Sequence, residues 1–248
     1  MITETYRSDM LAGRVALVVG GTSGIGAGIA DALSSVGAVV TVTGVSAQEV
    51  DAARAAPGFR ARDAVALDVR DDAAVKDLIA DLPRLDALVN CAGVIGRGVE
   101  HDPAQFERTI AVNLTGTMRC CTHAREKLKA ARGAIVNIGS LYSYFGAPHA
   151  PGYASSKGGV IQLTRSLAIA YAVDGIRVNA VAPGWIATPL TAPVREDAAK
   201  SAAILARTPL GRWGEPIDVA GAVTFLVSPA SGFVTGATLA VDGGYVIA

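Results

Sequence analysis

The chain is poor in cysteine, in aromatic side chains and in charge. Its 248 residues include 3 cysteines, and only 5% are aromatic and 18% charged. An odd cysteine count, with Cys120 and Cys121 adjacent, argues against a disulfide framework and favours free thiols in a reducing compartment. No uncharged apolar run reaches about 18 residues, so no transmembrane helix is expected. The polar first ten residues lack the apolar segment of a signal peptide, which makes the cytoplasm the expected location.

Neither sign of charge dominates the sequence. Twenty-two basic residues balance 22 acidic ones, giving a formal net charge of zero. This balance gives no electrostatic footprint for nucleic acid or an anionic membrane, so neither is a predicted partner. No metal site is predicted either. Hydrophobic residues make up 51% of the chain, which is enough for a sizeable core and argues against disorder.

Short apolar runs alternate with segments of helical periodicity along the whole chain. The runs are continuous rather than alternating, which is typical of strands buried on both faces of a parallel sheet. This rhythm predicts an α/β fold: one Rossmann-type, doubly wound sheet of seven parallel strands with helices on both faces. We expect a flexible tail over residues 1–10 and a single domain over 11–248. The predicted strands are residues 14–19, 39–43, 64–68, 85–89, 134–138, 176–182 and 238–241.

A glycine-rich turn follows the first predicted strand at once. It reads Gly-Gly-Thr-Ser-Gly-Ile-Gly over residues 20–26, and a helical pattern continues from it to Gly37. Glycines let the backbone approach a phosphate closely, and the start of a helix presents free N–H groups and the positive end of the helix dipole. The turn therefore predicts a pyrophosphate-binding site, although its Gly-x-x-x-Gly-x-Gly spacing differs from the Gly-x-Gly-x-x-Gly fingerprint of long-chain dehydrogenases.

The end of the second strand bears on the choice of cofactor. An acidic residue there often binds the ribose 2′-hydroxyl of NAD, whereas an arginine favours the 2′-phosphate of NADP. Residues 43–46 read Thr-Gly-Val-Ser and contain neither. Ser23 in the glycine turn is not basic. The sequence leaves NAD and NADP both open and slightly favours NAD.

Residues 140–157 carry the groups best suited to proton transfer. Tyr153 and Lys157 are four residues apart at the start of a helical pattern, so both lie on one helix face. An ammonium beside a phenol is expected to lower the pKa of the phenol from about 10 towards neutrality. Ser140 ends the strand over 134–138 and could hydrogen-bond the same substrate oxygen. Taken alone, Tyr-x-x-x-Lys is common, and an ordinary surface helix is the alternative interpretation.

The substrate pocket is less well defined by the sequence. Residues 185–212, after the sixth strand, are predicted to form a substrate lid, with a plain pair of connecting helices as the alternative. The candidate pocket residues flank the proton-transfer segment or this lid and indicate a small or medium, partly apolar carbonyl or secondary alcohol. They are Tyr142, Tyr144, Phe145, His149 and Trp185. Core packing is an equally good explanation for each of them.

Taken together and in order, these motifs resemble the short-chain dehydrogenase/reductase family from Leu11 to the C-terminus. Asn113, Ser140, Tyr153 and Lys157 match the family's catalytic tetrad. The resemblance also implies a set of cofactor-binding residues in the glycine turn, at the adenine, in the fourth-strand motif and beside the nicotinamide. They are Gly20, Ser23, Gly24, Ile25, Gly26, Asp68, Val69, Asn90, Ala92, Gly93, Tyr153, Lys157, Pro183, Gly184, Ile186 and Thr188.

The resemblance implies an NAD(P)-dependent oxidoreductase that interconverts a secondary alcohol and a ketone. Tyr153 would exchange the proton, Ser140 would stabilise the substrate oxygen, Lys157 would hold the nicotinamide ribose, and Asn113 would order a water. It also implies a homotetramer. Two departures from the pattern are Val19, where the family often has threonine, and Cys91, which replaces the second asparagine of the fourth-strand motif.

Two alternatives stay open at this point. A 3-oxoacyl-carrier-protein reductase would need a basic patch for its acidic partner, and four basic residues precede the fifth strand, at Arg125, Lys127, Lys129 and Arg132. A solvated helix face also explains them, and Asp174 counts against the patch. A nicotinamide-binding sensor without chemistry would keep the glycine turn but would not need Ser140, Tyr153 and Lys157.

Overall fold

The computed structural model describes residues 2–248, which form one parallel sheet with helices on both faces. The sheet has seven strands in the order β3-β2-β1-β4-β5-β6-β7, which confirms the predicted fold class. The strands are β1 (Val15–Val19), β2 (Val39–Gly44), β3 (Asp63–Ala66), β4 (Ala87–Asn90), β5 (Ala134–Ile138), β6 (Arg177–Pro183) and β7 (Thr238–Val241).

Helices connect the strands in the expected alternation. They are α1 (Gly24–Ser35), α2 (Ala47–Ala55), α3 (Asp72–Asp81), α4 (Pro103–Ile110), α5 (Gly116–Ala131), α6 (Pro151–Tyr171), α7 (Ala192–Arg195), α8 (Ala198–Arg207) and α9 (Pro216–Val227). The helical region predicted after Asp102 is interrupted, because a π-helical turn at Ala111–Thr115 separates α4 from α5. Across residues 2–248, no helix has both the length and the apolar character that a membrane span requires.

Alternate residues of the strands face two separate cores. Val18 of β1 packs into a core with side chains of α1 and α9, whereas Leu17 and Val19 pack into a core with α3, α5 and α6. Strand side chains point alternately to opposite faces, so a continuous apolar run fills both cores at once. This is the physical basis of the strand pattern in the sequence.

The N-terminal segment makes more contacts than a free tail would. Ile2 is only 9% exposed within a short 3₁₀ turn, and the hydroxyl of Tyr6 donates a hydrogen bond to the carbonyl of Gly221 in α9 (3.1 Å). The sequence did not indicate this packing because the partner of Tyr6 lies 215 residues away along the chain. The flexibility expected for residues 1–10 stays a prediction, although Ile2 and Tyr6 of this segment pack against the rest of the domain.

The strand order reverses between β1 and β4. These two strands run side by side with Val19 opposite Asn90, and their following helices lie on opposite faces of the sheet. A crevice opens at the carboxyl ends of the strands at such a reversal, and ligands of doubly wound sheets bind there. The fold therefore directs the search for a site to this edge.

Candidate active site

The glycine turn after β1 can exist only with glycines at its key positions. Gly20 has a φ of 77°, and a Cβ there would lie 2.6 Å from the backbone of Ala92. A Cβ on Gly26 would lie 2.0 Å from the carbonyl oxygen of Gly20. The N–H of Gly20 donates to the hydroxyl of Thr43 (3.1 Å), so a neighbouring strand supplies a turn bond although residue 19 is valine. The result is an exposed backbone cradle at the N-terminus of α1.

A single elongated cavity of about 490 Å³ follows this cradle across the carboxyl ends of β1, β2, β4, β5 and β6. All but one of the predicted cofactor residues line it, together with Ser140. Those lining it are Gly20, Ser23, Gly24, Ile25, Gly26, Asp68, Val69, Ala92, Gly93, Tyr153, Lys157, Pro183, Gly184, Ile186 and Thr188. Residues far apart in sequence thus share one pocket because parallel strands end at the same edge.

Asn90 is the predicted cofactor residue that does not line this cavity. It is 5% exposed, and its side-chain nitrogen donates to Oδ1 of Asn137 (2.8 Å) on the neighbouring strand. Asn137 in turn donates to Thr164 in α6 (2.9 Å). Asn90 therefore ties β4 to β5 and α6 from below the pocket, because its side chain points into the sheet interior. Its neighbour Cys91 lines the cavity, and burial raises the pKa of that thiol to about 11.

Tyr153 and Lys157 lie one turn apart on α6 and converge with Ser140 at the end of β5. The ammonium nitrogen of Lys157 is 5.7 Å from the centre of the Tyr153 ring and donates to the carbonyl of Ile138 (2.7 Å). Ser140 lies near enough to the Tyr153 phenol to favour its ionised form. Lys157 is 4% exposed and Ser140 7%. The expected triad of hydroxyl, phenol and ammonium is therefore assembled in a buried setting.

Burial, rather than the ammonium, dominates the electrostatics of this pair. It raises the pKa of Tyr153 to about 12, and the nearby Ser140 hydroxyl acts on this pKa in the opposite direction with a smaller effect. Burial also lowers the pKa of Lys157 to about 8. The expectation that Lys157 brings the phenol towards neutrality is not met here, because desolvation penalises both charged forms. At neutral pH the phenol keeps its proton and is ready to donate it.

Asn113 lies in the π-helical turn between α4 and α5 and is 1% exposed. Its amide oxygen accepts from the N–H of Val94 (2.8 Å), and its nitrogen donates to the Val94 carbonyl (2.9 Å) and to Ser156 (3.0 Å). It therefore clamps the loop after β4 to α6. A Cβ on Gly93 would lie 3.4 Å from the Asn113 oxygen and 3.6 Å from the Lys157 nitrogen, so this loop brings Asn113 close to the tetrad lysine.

Comparison with known proteins gives a consistent result. The family model described as enoyl-(acyl carrier protein) reductase matches residues 19–246. Cis-4-hydroxycyclohexanecarboxylate dehydrogenase of Sinomonas cyclohexanicum is 44% identical, covering 96% of this chain and 98% of its own. The 2-dehydro-3-deoxy-D-gluconate 5-dehydrogenase of Bacillus subtilis is 41% identical, covering 95% and 96%. A crystal structure from Agrobacterium tumefaciens with bound NADP superposes with a TM-score of 0.88 at 39% identity, covering 98% and 100%.

The chain belongs to the short-chain dehydrogenase/reductase family. It is an NAD(P)-dependent oxidoreductase that interconverts a secondary alcohol and a ketone. The cradle of this dehydrogenase/reductase fits such a cofactor, because Gly20 and Gly26 let the turn pack tightly on its own backbone and the N-terminus of α1 lines the cavity.

A cluster of aromatic rings packs beside Tyr153, and we call this cluster the aromatic wall. Tyr142 meets Tyr153 edge to face with ring centres 6.1 Å apart, and it packs in the same way on His149 (5.9 Å) and Trp185 (6.4 Å). Three of the candidate pocket residues therefore cluster beside the phenol.

The remaining pocket candidates lie outside this cluster. Tyr144 is 44% exposed, and the ring of Phe145 packs under the guanidinium of Arg207 (4.8 Å). Trp213 and Tyr245, which the sequence did not single out, extend the wall from Trp185, with ring centres 5.8 and 6.5 Å away. Both come from distant parts of the chain, so no local pattern linked them to the site.

The predicted lid folds into two short helices. A 3₁₀ turn at Pro189–Thr191 leads into α7 and α8, and Leu190 and Thr191 line the cavity. The indole N–H of Trp213 donates to Ser201 of α8 (2.9 Å), which ties the end of this segment to the aromatic wall. The start of the segment thus lines the cavity, and its role as a lid stays a prediction.

Glu49 is a cavity residue that the sequence analysis missed. It lies in the first turn of α2, and its carboxylate accepts from the N–H of Val45 (3.0 Å) just beyond the end of β2. The end of β2 itself has no acidic residue, but the first turn of α2 brings the Glu49 carboxylate back to the same place. An acidic residue expected at the strand end therefore lies a few residues further along the chain.

Glu100 is a second residue that the sequence analysis missed, and it holds Tyr153 in place. Its carboxylate is 1% exposed and accepts from the N–H groups of Gly96 (2.6 Å) and Tyr153 (2.7 Å) and from the hydroxyl of Thr109 (3.0 Å). Because the first N–H groups of a helix have no partner within it, this carboxylate caps α6 from another loop. An isolated Glu in a polar stretch gave no signal of this role.

We expect Glu100→Gln to lower both stability and turnover. A neutral amide presents one accepting oxygen and one donating nitrogen, so it leaves at least one buried N–H without a partner. The loss is about 1–3 kcal/mol in the free energy of unfolding. We expect kcat to fall roughly tenfold while the Kd for NADH changes little, since Tyr153 shifts and the glycine cradle does not.

Denaturant titration measures the free energy of unfolding, steady-state kinetics measures kcat, and NADH fluorescence measures the Kd for NADH. Glu107→Gln on the exposed surface of α4 is the matched control and should leave all of them unchanged. Glu100→Asp should restore part of kcat. A stability loss with native kcat would contradict the positioning role.

Proposed function

We propose that Ser140, Tyr153, Lys157 and Asn113 carry out the alcohol–ketone interconversion in this cavity. The observation that carries the proposal is the meeting of the first three side chains at the carboxyl end of β5, within the same cavity as the glycine cradle. A sensor without chemistry would not need a buried phenol, hydroxyl and ammonium held together at the cost of their desolvation.

The nicotinamide cofactor supplies or accepts the hydride. In our proposal, the N-terminus of α1 with Gly24, Ile25 and Gly26 holds its pyrophosphate, and Lys157 holds the nicotinamide ribose. Asp68 and Val69 bound the adenine end, and Pro183, Gly184, Ile186 and Thr188 bound the nicotinamide end. All of these residues line the cavity.

In the direction of ketone reduction, Tyr153 donates its phenolic proton to the substrate oxygen. Its raised pKa keeps the proton on the phenol until negative charge develops on that oxygen. Ser140 donates a hydrogen bond to the same oxygen and stabilises its charge. Lys157, buried beside the ring, stabilises the phenolate that results. Asn113 orders a water that returns the proton, in the loop that it clamps.

The substrate that best fits this site is a small secondary alcohol that carries a carboxylate. Two of the relatives are named for such substrates. A carrier-bound acyl chain is less well supported, because three of the four basic residues proposed to meet an acidic carrier already have partners. Arg125 and Lys129 pair with Asp174 (2.7 and 3.0 Å), and Lys127 donates to the carbonyl of Leu82.

NAD is the cofactor that we propose the enzyme prefers. The carboxylate of Glu49 lies at the end of β2, where it repels a 2′-phosphate and accepts a hydrogen bond from a 2′-hydroxyl. Arg70 also lines the cavity, but it is paired with Asp68 (2.6 Å). Arg108 also lines this end of the cavity, so the proposed preference rests on the position of the Glu49 carboxylate beside the end of β2 and not on the net charge.

The cytoplasm remains the proposed location. The three cysteines are free, and Cys120 and Cys121 are buried, which suits a reducing compartment.

Tyr153→Phe should reduce kcat at least about 10³-fold and leave NADH binding within a factor of about two, because the ring packing stays while the proton is lost. Steady-state kinetics on a panel of secondary alcohols and ketones, with fluorescence titration of NADH, tests this. Tyr6→Phe removes a remote phenol and is the control for the substitution itself. A near-native kcat for Tyr153→Phe would contradict the proposed mechanism.

Titration with NADH and NADPH tests the cofactor preference. The unaltered enzyme should bind NADH more tightly, and Glu49→Gln should narrow the ratio of the two Kd values about tenfold, since one repulsive charge is removed. Asp51→Asn, an exposed change on the same helix, should leave the ratio unaltered. Tighter NADPH binding by the unaltered enzyme would refute the assignment.

A homotetramer is the proposed assembly, and the small residues of α6 bear on which part of that helix is free to meet another copy. Gly159 packs on Leu114 of its own chain, and Ala168 is 3% exposed in the core. Gly158 has open space around it, and Ile169 on the same helix is 81% exposed. Light scattering should give about four times the 25.2 kDa chain mass, and a monomer would exclude the proposal.

A further inference from the structure

Arg97 is held rigidly at the rim of the active site by its two neighbours. The N–H of Gly96 donates to the buried carboxylate of Glu100 (2.6 Å), and the N–H of Gly98 donates to the carbonyl of His149 (2.6 Å). Both partners belong to the catalytic region, since Glu100 caps the helix of Tyr153 and the His149 ring packs within the aromatic wall. These two hydrogen bonds therefore fix the position of the Arg97 backbone, from which its side chain extends.

The guanidinium of Arg97 keeps most of its donors free. Its Nη1 donates to the carbonyl of Leu190 (3.2 Å), a cavity-lining residue of the lid segment. Within residues 2–248, no carboxylate pairs with it. A guanidinium has five N–H donors in a planar fork, so a pair of parallel donors remains for an anion.

The positive charge of Arg97 favours the ionised forms of two phenols of the site. Burial raises the pKa of both Tyr142 and Tyr153, and in each case Arg97 opposes the rise. Its charge therefore reaches the phenol of Tyr153 and also the ring that packs against it on the substrate side. The cations at the opposite, adenine end of the cavity are Arg70, which is paired with an aspartate, and Arg108.

We propose that Arg97 binds the carboxylate of a hydroxy-acid or oxo-acid substrate whose reacting oxygen lies at Tyr153. This inference rests on the proposed function and deepens it by naming the residue that selects the substrate class. A planar carboxylate matches the guanidinium fork, and the aromatic wall of Tyr142 and Trp185 covers the apolar carbons between the two polar ends. The lid carbonyl of Leu190 couples this contact to cavity closure.

Arg97→Gln tests the proposal with an acid and its neutral counterpart. The probes are cis-4-hydroxycyclohexanecarboxylate and its methyl ester, oxidised with NAD. We expect kcat/KM for the acid to fall about 100-fold, mainly through KM, while the value for the ester changes less than about threefold. Arg97→Lys should recover part of the loss, because an ammonium keeps the charge without the fork. Arg195→Gln, an exposed change on α7, is the matched control.

A second measurement separates this inference from the proposed mechanism. Cyclohexanecarboxylate carries no hydroxyl and cannot be oxidised, so calorimetric titration into the enzyme with NADH reports carboxylate binding alone. The unaltered enzyme should bind it, and Arg97→Gln should weaken binding at least about 30-fold with an unchanged Kd for NADH. An equal loss for acid and ester, or no carboxylate binding by the unaltered enzyme, overturns the role of Arg97. Neutral alcohols that are still oxidised would then leave the tetrad mechanism intact.

Discussion

The structure depends on one buried carboxylate, that of Glu100. It lies in the loop after β4 and accepts hydrogen bonds from Gly96 of that loop (2.6 Å), from Thr109 of α4 (3.0 Å) and from the backbone of Tyr153 in the first turn of α6 (2.7 Å). That loop carries Gly93 and Arg97, and that helix carries Tyr153 and Lys157. A buried carboxylate with fewer partners would be strongly unfavourable, so the two elements are stable only together. The loop that carries Arg97 and the helix that carries the phenol are therefore tied together by Glu100, in addition to the clamp that Asn113 provides.

The same burial shapes the chemistry of the tetrad. A surface pair of Tyr and Lys would stabilise a phenolate, whereas here desolvation raises the pKa of Tyr153 to about 12 and lowers that of Lys157 to about 8. Tyr153 is thus protonated and able to donate at neutral pH, and the neighbouring Lys157 loses its proton more readily than an exposed lysine.

Local patterns were sufficient for the fold. Continuous apolar runs separated by helical periodicity led to seven parallel strands in one sheet, and the glycine spacing after β1 led to the cradle. Strand ends were less exact: β4 was expected over 85–89 and lies at Ala87–Asn90, because pairing with β1 and β5 determines where its ladder begins. The π-helical turn at Asn113 was also invisible, since its residues are equally compatible with an α-helix.

Motif residues close in sequence or fixed at strand ends could be placed from the sequence, whereas contacts between distant segments could not. Tyr153 and Lys157 follow from helical spacing, and Ser140 follows from the end of a strand. Whether burial or the neighbouring charge controls the pKa of the Tyr153 phenol depends on the atoms around it, and only the tertiary structure determines those. Glu100 and Arg97 acquire their roles from partners that lie 53 and 93 residues away, a proximity that no spacing along the chain encodes. Glu49 bonds a backbone N–H only four residues away, but its place in the cavity depends on parallel strands that end at one edge.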